Sequence, residues 1–298
     1  MLEQTRRFFA SRNVLEVDTP IVVGSPVTDV HIHSAEVRFP DVQRPYFLHT
    51  SPEYAMKRLL AAGSSDIFQI CHVVRGLERG KLHNAEFTLI EWYRIGFSLD
   101  QLMKEVASLT RELLGRSVES EQLTYRDAFL RKLRLDPFAA SLSELRKTAR
   151  VAGFDHPAAE RDELLDFLMA SCVGPKLGRG SLSFVHRYPA SQAALAQLDA
   201  DDPRCALRFE LYYEGVELAN GFKELACSIE QRVRFEQDAH ERRRRGLPEF
   251  PGDENLLAAL EHGLPDCAGV AVGFDRVAML ATQAQHIDEV LPFPIERA

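Results

Sequence analysis

The segment FQICHVVRGLERGKLHNAEFTLIEWYR, from Phe68 to Arg94, constrains the fold more than any other part of the chain. Phe68 to Val74 and Phe87 to Tyr93 are rich in β-branched and aromatic residues, while Gly76 to Asn84 is basic and twice broken by glycine. That pattern predicts strand, polar loop, strand, and so a long hairpin. Alternation along the second strand puts Phe87, Leu89, Glu91 and Tyr93 on one face within about 20 Å. A ring, a carboxylate and a phenol in one row suit a ligand that carries a cation. The first strand ends in Arg75, whose fork of donors suits phosphate or carboxylate, and the loop adds Arg79, Lys81 and His83. The hairpin therefore offers groups for an anion, a ring and an ammonium together. Without a ligand the same residues describe a half-buried hairpin with a charged tip.

Several classes are excluded by composition. No apolar run of about 18 residues exists and charges are spread through the first twenty positions, so neither a membrane span nor a signal peptide is expected, and the cytoplasm is the default location. The five cysteines are odd in number, scattered and never spaced C-x-x-C, which argues for reduced packing residues rather than a disulfide framework or a zinc site. His31 and His33 would share a strand face, but no second ligand pair accompanies them. A net charge of −8 gives nucleic acid no global attraction, with the run Glu241 to Arg245 as a local exception. With 298 residues and ordinary apolar content the chain can bury a substantial core.

Taken in order, residues 2 to 12 read as helix, followed by a short strand at Val14 to Val17 that stops at Pro20. Ser51-Pro52-Glu53 opens a helix that runs to Gly63, with Glu53 at its N-terminus. Beyond the hairpin, Ser98 and Gln101 form a capping box, and Leu99, Leu102, Val106, Leu109 and Leu113 make a helical stripe ending at Gly115. Shorter helices follow at Asp127 to Leu133, Ser143 to Ala152 and Arg161 to Val173. Residues of about 98 to 180 thus read as a helical insertion between two β regions, inside a single domain spanning residues 1 to 298.

The second informative stretch is RFELYYEGVELANGFKEL, Arg208 to Leu225. Glu214-Gly215 suits a two-residue hairpin loop, which pairs Tyr213 with Val216 and Tyr212 with Glu217. Glu210 and Glu217 then share a face, and two carboxylates so placed repel unless a cation lies between them; oxygen-only ligation with room for phosphates is the magnesium pattern. Asn220-Gly221 is expected to break the second strand as a bulge or turn, aiming Asn220 and Glu224 at one site. A solvated acidic hairpin is the alternative. Near the C-terminus, Gly269 to Val272 reads as a strand with small residues, and Gly273-Phe274-Asp275-Arg276 opens a helix, so that Arg276 can face a phosphate or a purine.

Together these stretches resemble the catalytic core of class II aminoacyl-tRNA synthetases of the lysyl subgroup. Val14 to Pro20 resembles the first class motif, Arg75 to Arg94 the second and Gly269 to Arg276 the third; with ELANGFKEL they cover nearly the whole chain. Within that group the resemblance is best to the free-standing paralogues that ligate lysine to elongation factor P, which lack an anticodon-binding domain. Here the sequence opens at the first-motif helix, so such a domain is not expected. The resemblance implies an α+β fold, an antiparallel sheet flanked by helices, working as a homodimer. It also implies ATP-dependent activation of lysine or (R)-β-lysine as an adenylate and transfer to a lysine side chain of elongation factor P, with magnesium as cofactor and tRNA not expected as a partner.

Carried over by position, Arg75 would hold the α-phosphate and help with the substrate carboxylate. Phe87 and Arg276 would sandwich adenine, with Arg276 near the γ-phosphate and His83 on the phosphate tail. Glu210 and Glu217 would hold magnesium, and Asn220 would orient the substrate carboxylate. Ser51 and Glu53 would lie near the backbone amine; Glu91, Tyr93 and Glu224 would take the ε-ammonium. Ala271 stands where lysyl-tRNA synthetases resemble one another in having glycine, and its methyl reshapes the pocket. These roles agree with the chemistry, because adenylation is an in-line attack by a carboxylate on phosphorus that needs placement and cations rather than a nucleophilic side chain. Three acids away from the phosphates select a substrate with two amines.

Two departures stand out. The second motif ordinarily continues Arg-x-Glu, whereas position 77 is Leu and Glu78 comes one residue later; His72, Val73 and Val74 replace a more basic and aromatic run. Loss of one charge-assisted contact to ATP would weaken binding by about 1.5 to 3 kcal/mol. The competing expectations are a pseudoenzyme that binds an amino acid or a protein partner, and a truncated lysyl-tRNA synthetase that charges tRNA.

Overall fold

The computed structural model describes residues 1–76 and 79–298, so Leu77 and Glu78, on which the second-motif departure rests, lie outside the described residues. Two compact units form, one from 1–115 with 224–298 and the other from 116–223.

The first unit opens with helix α1 (Leu2–Ala10) and edge strand β1 (Leu15–Glu16). Short strands β2 (Val22–Val23), β3 (Glu36–Val37) and β4 (Tyr46–Leu48) make a small antiparallel sheet in the order β2-β4-β3. Helix α2 (Glu53–Ala61) follows, with Pro52 rather than Ser51 in the N-cap position, so the helix starts one residue later than the sequence suggests. The hairpin is present as expected, β5 (Ile67–Val74) against β6 (Glu86–Ile95), and β1 joins it in parallel through Leu15–Ile67 and Glu16–Phe68. Helix α3 (Leu99–Leu114) has the Ser98/Gln101 capping box at its start and a left-handed Gly115 at its end.

One face of the hairpin is apolar and covered. Phe9 of α1 stacks on Phe68 at 4.4 Å and meets Trp92 edge-on at 5.1 Å. The Trp92 indole N–H donates to Glu105 of α3 at 3.0 Å. Because side chains alternate, burying Phe68, Ile90 and Trp92 on that side turns Gln69, Phe87, Glu91 and Tyr93 to the other.

The second unit holds β7 (Glu119–Thr124), α4 (Tyr125–Leu133), α5 (Leu142–Val151), α6 (Arg161–Leu168), β8 (Ser181–Pro189), β9 (Cys205–Tyr213) and β10 (Val216–Lys223). The three helices lie close to their expected places, but Met169–Val173 widens into a π-helical turn. The insertion expected as helical also contains β7, which pairs in parallel with β8 over Glu119–Ser181 to Thr124–His186. Its polar run ESEQLT, with only Leu123 buried, hides that strand from a reading by hydrophobic alternation. The helices close a core around Tyr125, Phe129, Leu165, Leu168 and Tyr188.

The chain then returns to the first unit with α7 (Ser228–Arg244), α8 (Glu254–Gly263), β11 (Cys267–Gly273) and α9 (Phe274–Thr282). β11 pairs antiparallel with β6, from Cys267–Ile95 to Gly273–Leu89. Met56, Leu60, Ile67, Tyr93, Phe235, Leu256 and Leu260 pack together around it. The basic run is engaged by the protein's own groups: Arg242 is buried against the carbonyls of Asp29 and Pro248, while at the surface Arg243 pairs with Glu249, and Arg244 and Arg245 pair with Glu241. Among the described residues no helix is long and apolar enough to cross a membrane, and all five cysteines are free thiols.

Candidate active site

Cross-strand register arranges the other face of the hairpin, buried beneath α2 at the Tyr93 end, in rows. Ile67, Tyr93 and Gly269 form one, Gln69, Glu91 and Ala271 the next, then Cys71, Leu89 and Gly273, with Val73 opposite Phe87 at the end. The row of Glu91 places the Ala271 methyl directly beside the carboxylate's strand position. Gly269 is required there: a Cβ would come within 2.5 Å of Glu224 Oε1 and closer still to the Tyr93 ring. The Cys71 thiol is driven up to about 12, first by burial and then by the Glu91 charge, so it is no nucleophile.

The acids expected to converge do so. Glu91 receives the Ser51 hydroxyl at 2.7 Å on Oε2 and the Tyr93 hydroxyl at 2.8 Å on Oε1. Ser51 also accepts the Glu53 backbone N–H at 3.1 Å, so one hydroxyl both starts α2 and touches Glu91. Glu224, whose backbone N–H donates to Cys267 O at 3.1 Å, meets Lys57 Nζ at 2.6 Å, and the same ammonium reaches Glu53 Oε1 at 2.7 Å. Burial raises Glu91 to about 8, with the Glu53 carboxylate adding to it and the two hydroxyl donors opposing. Burial likewise raises Glu224 to about 7, against the attraction of Lys57. Burial alone would lower Lys57, but Glu224 and Glu53 outweigh it and its affinity for the proton rises. Lys57 is the residue that sequence reasoning missed. The i,i+4 spacing from Glu53 was the available signal, while the partner at Glu224 was not visible in the sequence.

The cationic end of the face is built from the hairpin loop and the start of α9. Arg75 donates to Thr50 O at 3.3 Å and lies over the Phe87 ring at 5.1 Å. Asp275 accepts the Thr88 N–H at 2.7 Å, which fixes the first turn of α9 and with it Arg276. Arg276 donates to Leu82 O at 3.2 Å and to His83 Nε2 at 2.6 Å. An arginine cannot give up its proton, so His83 accepts through Nε2 and carries its hydrogen on Nδ1. Arg79, grouped in the sequence with the anion-binding cations, is instead engaged by two carboxylates, Asp288 at 2.7 Å and Glu296 at 2.5 Å. Together with bonds from Ile287 N to Lys81 O and Ile295 N to Asn84 Oδ1, these tie the loop to the C-terminal segment.

In the second unit the hairpin register is as expected, Tyr213 opposite Val216 and Tyr212 opposite Glu217, across a turn in which Glu214 and Gly215 both have positive φ. Asn220-Gly221 does not break the strand. The bulge falls earlier, between Glu217 and Ala219, and β10 runs on to Lys223 because Gly221 sits in ordinary strand pairing with Phe209. Asn220 consequently lies opposite Glu210. The cation beside these acids is Arg208. It donates to Glu210 Oε1 at 2.6 Å and to Asn220 Oδ1 at 3.2 Å, and Glu210 and Glu217 both raise its affinity for the proton. Glu210 Oε2 accepts the hydroxyls of Tyr188 and Tyr212, each at 2.5 Å. These three donors use three of the roughly four acceptor positions of a carboxylate, which leaves Oε1 one lone pair. The oxygen atoms that remain on Glu210 and Glu217 are of the kind a hard cation such as magnesium takes. Among the described residues there is no group of three or more metal-ligating side chains that would hold a metal by themselves.

The family model for class II tRNA synthetases (D, K and N) matches residues 1–297. The elongation factor P–(R)-β-lysine ligase of Pectobacterium carotovorum is 48% identical over 300 residues, covering 98% of this chain and 92% of the relative. The ligase of the same name from Edwardsiella ictaluri is 48% identical and covers 100% and 94%, and that from Pseudoalteromonas translucida is 49% identical with the same coverage. An anion-suited arginine pair at one end of a sheet face, three converging acids at the other, and a matching family model over nearly the full chain agree. The chain belongs to the class II tRNA synthetase family of the D, K and N type, alongside the elongation factor P–(R)-β-lysine ligases.

Proposed function

We propose that this protein is an ATP-dependent ligase that activates lysine or (R)-β-lysine as an adenylate and transfers it to a lysine side chain of elongation factor P. The observation that carries the reading is the acid cluster of Glu53, Glu91 and Glu224 around a buried face, at a distance along that face from the cations Arg75 and Arg276. Such a site accommodates a molecule with ammonium groups at one end and a carboxylate to be phosphoryl-activated at the other. The cations stabilise charge on the transferring phosphoryl group, and the acids fix the amines so that the carboxylate is presented in line. Magnesium, when bound by Glu210 and Glu217, would neutralise phosphate charge. Attack by the substrate carboxylate oxygen forms the acyl-adenylate and releases pyrophosphate; attack by the acceptor amine then forms the amide and releases AMP, with one proton lost from the amine. We further propose that the protein acts as a homodimer in the cytoplasm and that tRNA is not its acceptor.

Pyrophosphate exchange tests the first half-reaction. Exchange is expected with lysine and most strongly with (R)-β-lysine, and Arg276→Ala should reduce it by at least about 100-fold, since removing one preorganised donor to a developing charge has that scale of effect. Silence with every amino acid at saturating ATP would instead favour the adenylation-impaired pseudoenzyme, with Leu77→Glu the next variant to assay. Charging of total tRNA would revive the truncated synthetase.

Glu91 adds a pH prediction. Its folded pKa of about 8 lies above the ordinary value of 4.5, so it favours folding fully at low pH and that contribution is lost as pH rises from about 4.5 through 8. Substrate binding has the opposite preference, because an ammonium stabilises the carboxylate. With Glu224, raised to about 7, releasing its share as well, calorimetry of lysine binding at pH 7 in buffers of different ionisation heat is expected to show between one and two protons released, falling towards zero by pH 9. A proton count near zero at pH 7 would place the ammonium elsewhere.

A further inference from the structure

Lys57 is buried in the first unit with 2% of its side chain exposed, between Glu53 on its own helix and Glu224, itself 1% exposed. A lysine is an unexpected neighbour in a site that selects an ammonium, since it competes for the same carboxylates. The charges of the occupied site resolve this. Held ionised by a bound substrate, Glu53, Glu91 and Glu224 bring three negative charges, and Lys57 offsets one, leaving two. A diamino acid carries two ammonium groups, whereas an amino acid with a neutral side chain would leave a buried carboxylate uncompensated.

Lys57 also sets geometry. Its two ion pairs, at 2.7 Å and 2.6 Å, join helix α2 to the segment that carries Glu224, so the first turn of α2, with Glu53 and the adjoining Ser51, is held relative to that acid. Glu91 lies at the end of the same chain, through the Ser51 hydroxyl. Without the ammonium, Glu224 would be a deeply buried carboxylate with its main counter-charge removed, and it would take up a proton rather than stay ionised. A protonated Glu224 is a poorer acceptor for a cationic substrate.

We propose that Lys57 is a positioning and specificity-determining residue: its ammonium, fixed between Glu53 and Glu224, keeps both carboxylates aimed at the pocket and sets the pocket charge to match a substrate with two amines. The inference rests on the ligase reading given above. It extends that reading to a residue whose side chain need not touch the substrate.

The test uses the full chain, with lysine binding measured by calorimetry in the absence of ATP and pyrophosphate exchange measured alongside. Lys57→Met is expected to weaken lysine binding and to raise the KM for lysine by at least about tenfold, with the KM for ATP changed by no more than about twofold. Lys57→Arg, which keeps the charge, should retain more lysine affinity than Lys57→Met. In Lys57→Ala, n-butylamine at millimolar concentration should restore most of the lost affinity, while n-butanol should not. If Lys57→Ala does not fold, the methionine and arginine variants decide alone. Wild-type lysine affinity in Lys57→Met, or equal rescue by butanol and butylamine, would show that the side chain only fills space and would overturn the proposal. A wild-type protein that binds neither lysine nor (R)-β-lysine would sink the ligase reading and this inference with it, an outcome distinct from a wild type that binds and a variant that binds equally well.

Discussion

Gly269→Ala is expected to lower lysine-dependent pyrophosphate exchange by at least about 100-fold while the protein remains folded. The added methyl would lie within 2.5 Å of Glu224 Oε1 and closer to the Tyr93 ring, and neither neighbour is the free end of a mobile chain. Tyr93 is buried and packed among Met56, Leu60, Ile67 and Leu264, and Glu224 is held by Lys57. Relief must therefore come from moving the ring, the carboxylate or strand β11. Overpacking of this kind costs about 1 to 3 kcal/mol in stability, which a unit of this size survives. Catalysis is less forgiving, because a displacement of about 1 Å in a positioning group can cost roughly 100-fold. Both displaced groups belong to the acid cluster, and Tyr93 donates to Glu91. Circular dichroism and a thermal melt establish folding, and exchange kinetics read the effect. Activity within about threefold of wild type would show that the placement of Tyr93 and Glu224 does not govern activation.

The parts of the fold that were legible in the sequence share a local cause. The hairpin strands carry β-branched and aromatic residues in runs, and α3 is bracketed by Ser98 and Gln101 at one end and a left-handed Gly115 at the other. The Glu214-Gly215 turn followed from two residues with positive φ. Misplaced features depended on distant partners. Nothing near β7 announces its parallel pairing with β8, and a polar edge strand carries no alternation to read. The bulge at Leu218 replaced the expected break at Asn220-Gly221, since a glycine within a strand marks either a turn or ordinary pairing and the sequence does not say which.

The candidate site divides in the same way. Residue types and spacing placed Glu91, Tyr93 and Phe87 on one face, and the register sets Ala271 beside Glu91. What the sequence could not convey was which charges are spent inside the protein. Arg79 looked like an anion ligand until Asp288 and Glu296, more than 200 residues away, were found to hold it. Glu210 looked like a bare metal ligand, yet Arg208 and two tyrosine hydroxyls already surround it. The number of ionisable groups at a site is visible in a sequence; their pairing is a property of the fold, and pairing decides how much charge is left for a ligand.

That distinction gives the second large effect. Glu224→Leu is expected to destabilise the first unit by about 3 to 5 kcal/mol, because it leaves a buried ammonium with one of its two counter-charges removed. For a unit of this size the melting temperature should fall by on the order of 10 °C. The converse variant, Lys57→Met, should cost less, since the carboxylate left behind is already raised to about 7 and can be relieved by taking a proton. The double variant Lys57→Met/Glu224→Leu removes both buried charges and replaces them by apolar groups of similar volume. It leaves Glu53, which at 14% side-chain exposure retains access to water. The double variant should therefore recover most of the stability lost by Glu224→Leu, as replacement of buried ion pairs by well-packed apolar residues often does. It should not recover lysine binding, because the acceptor for the substrate ammonium has gone. If the double variant melts as low as Glu224→Leu, the ion pair is required for folding itself; if it binds lysine as the wild type does, Glu224 is no part of the amine pocket.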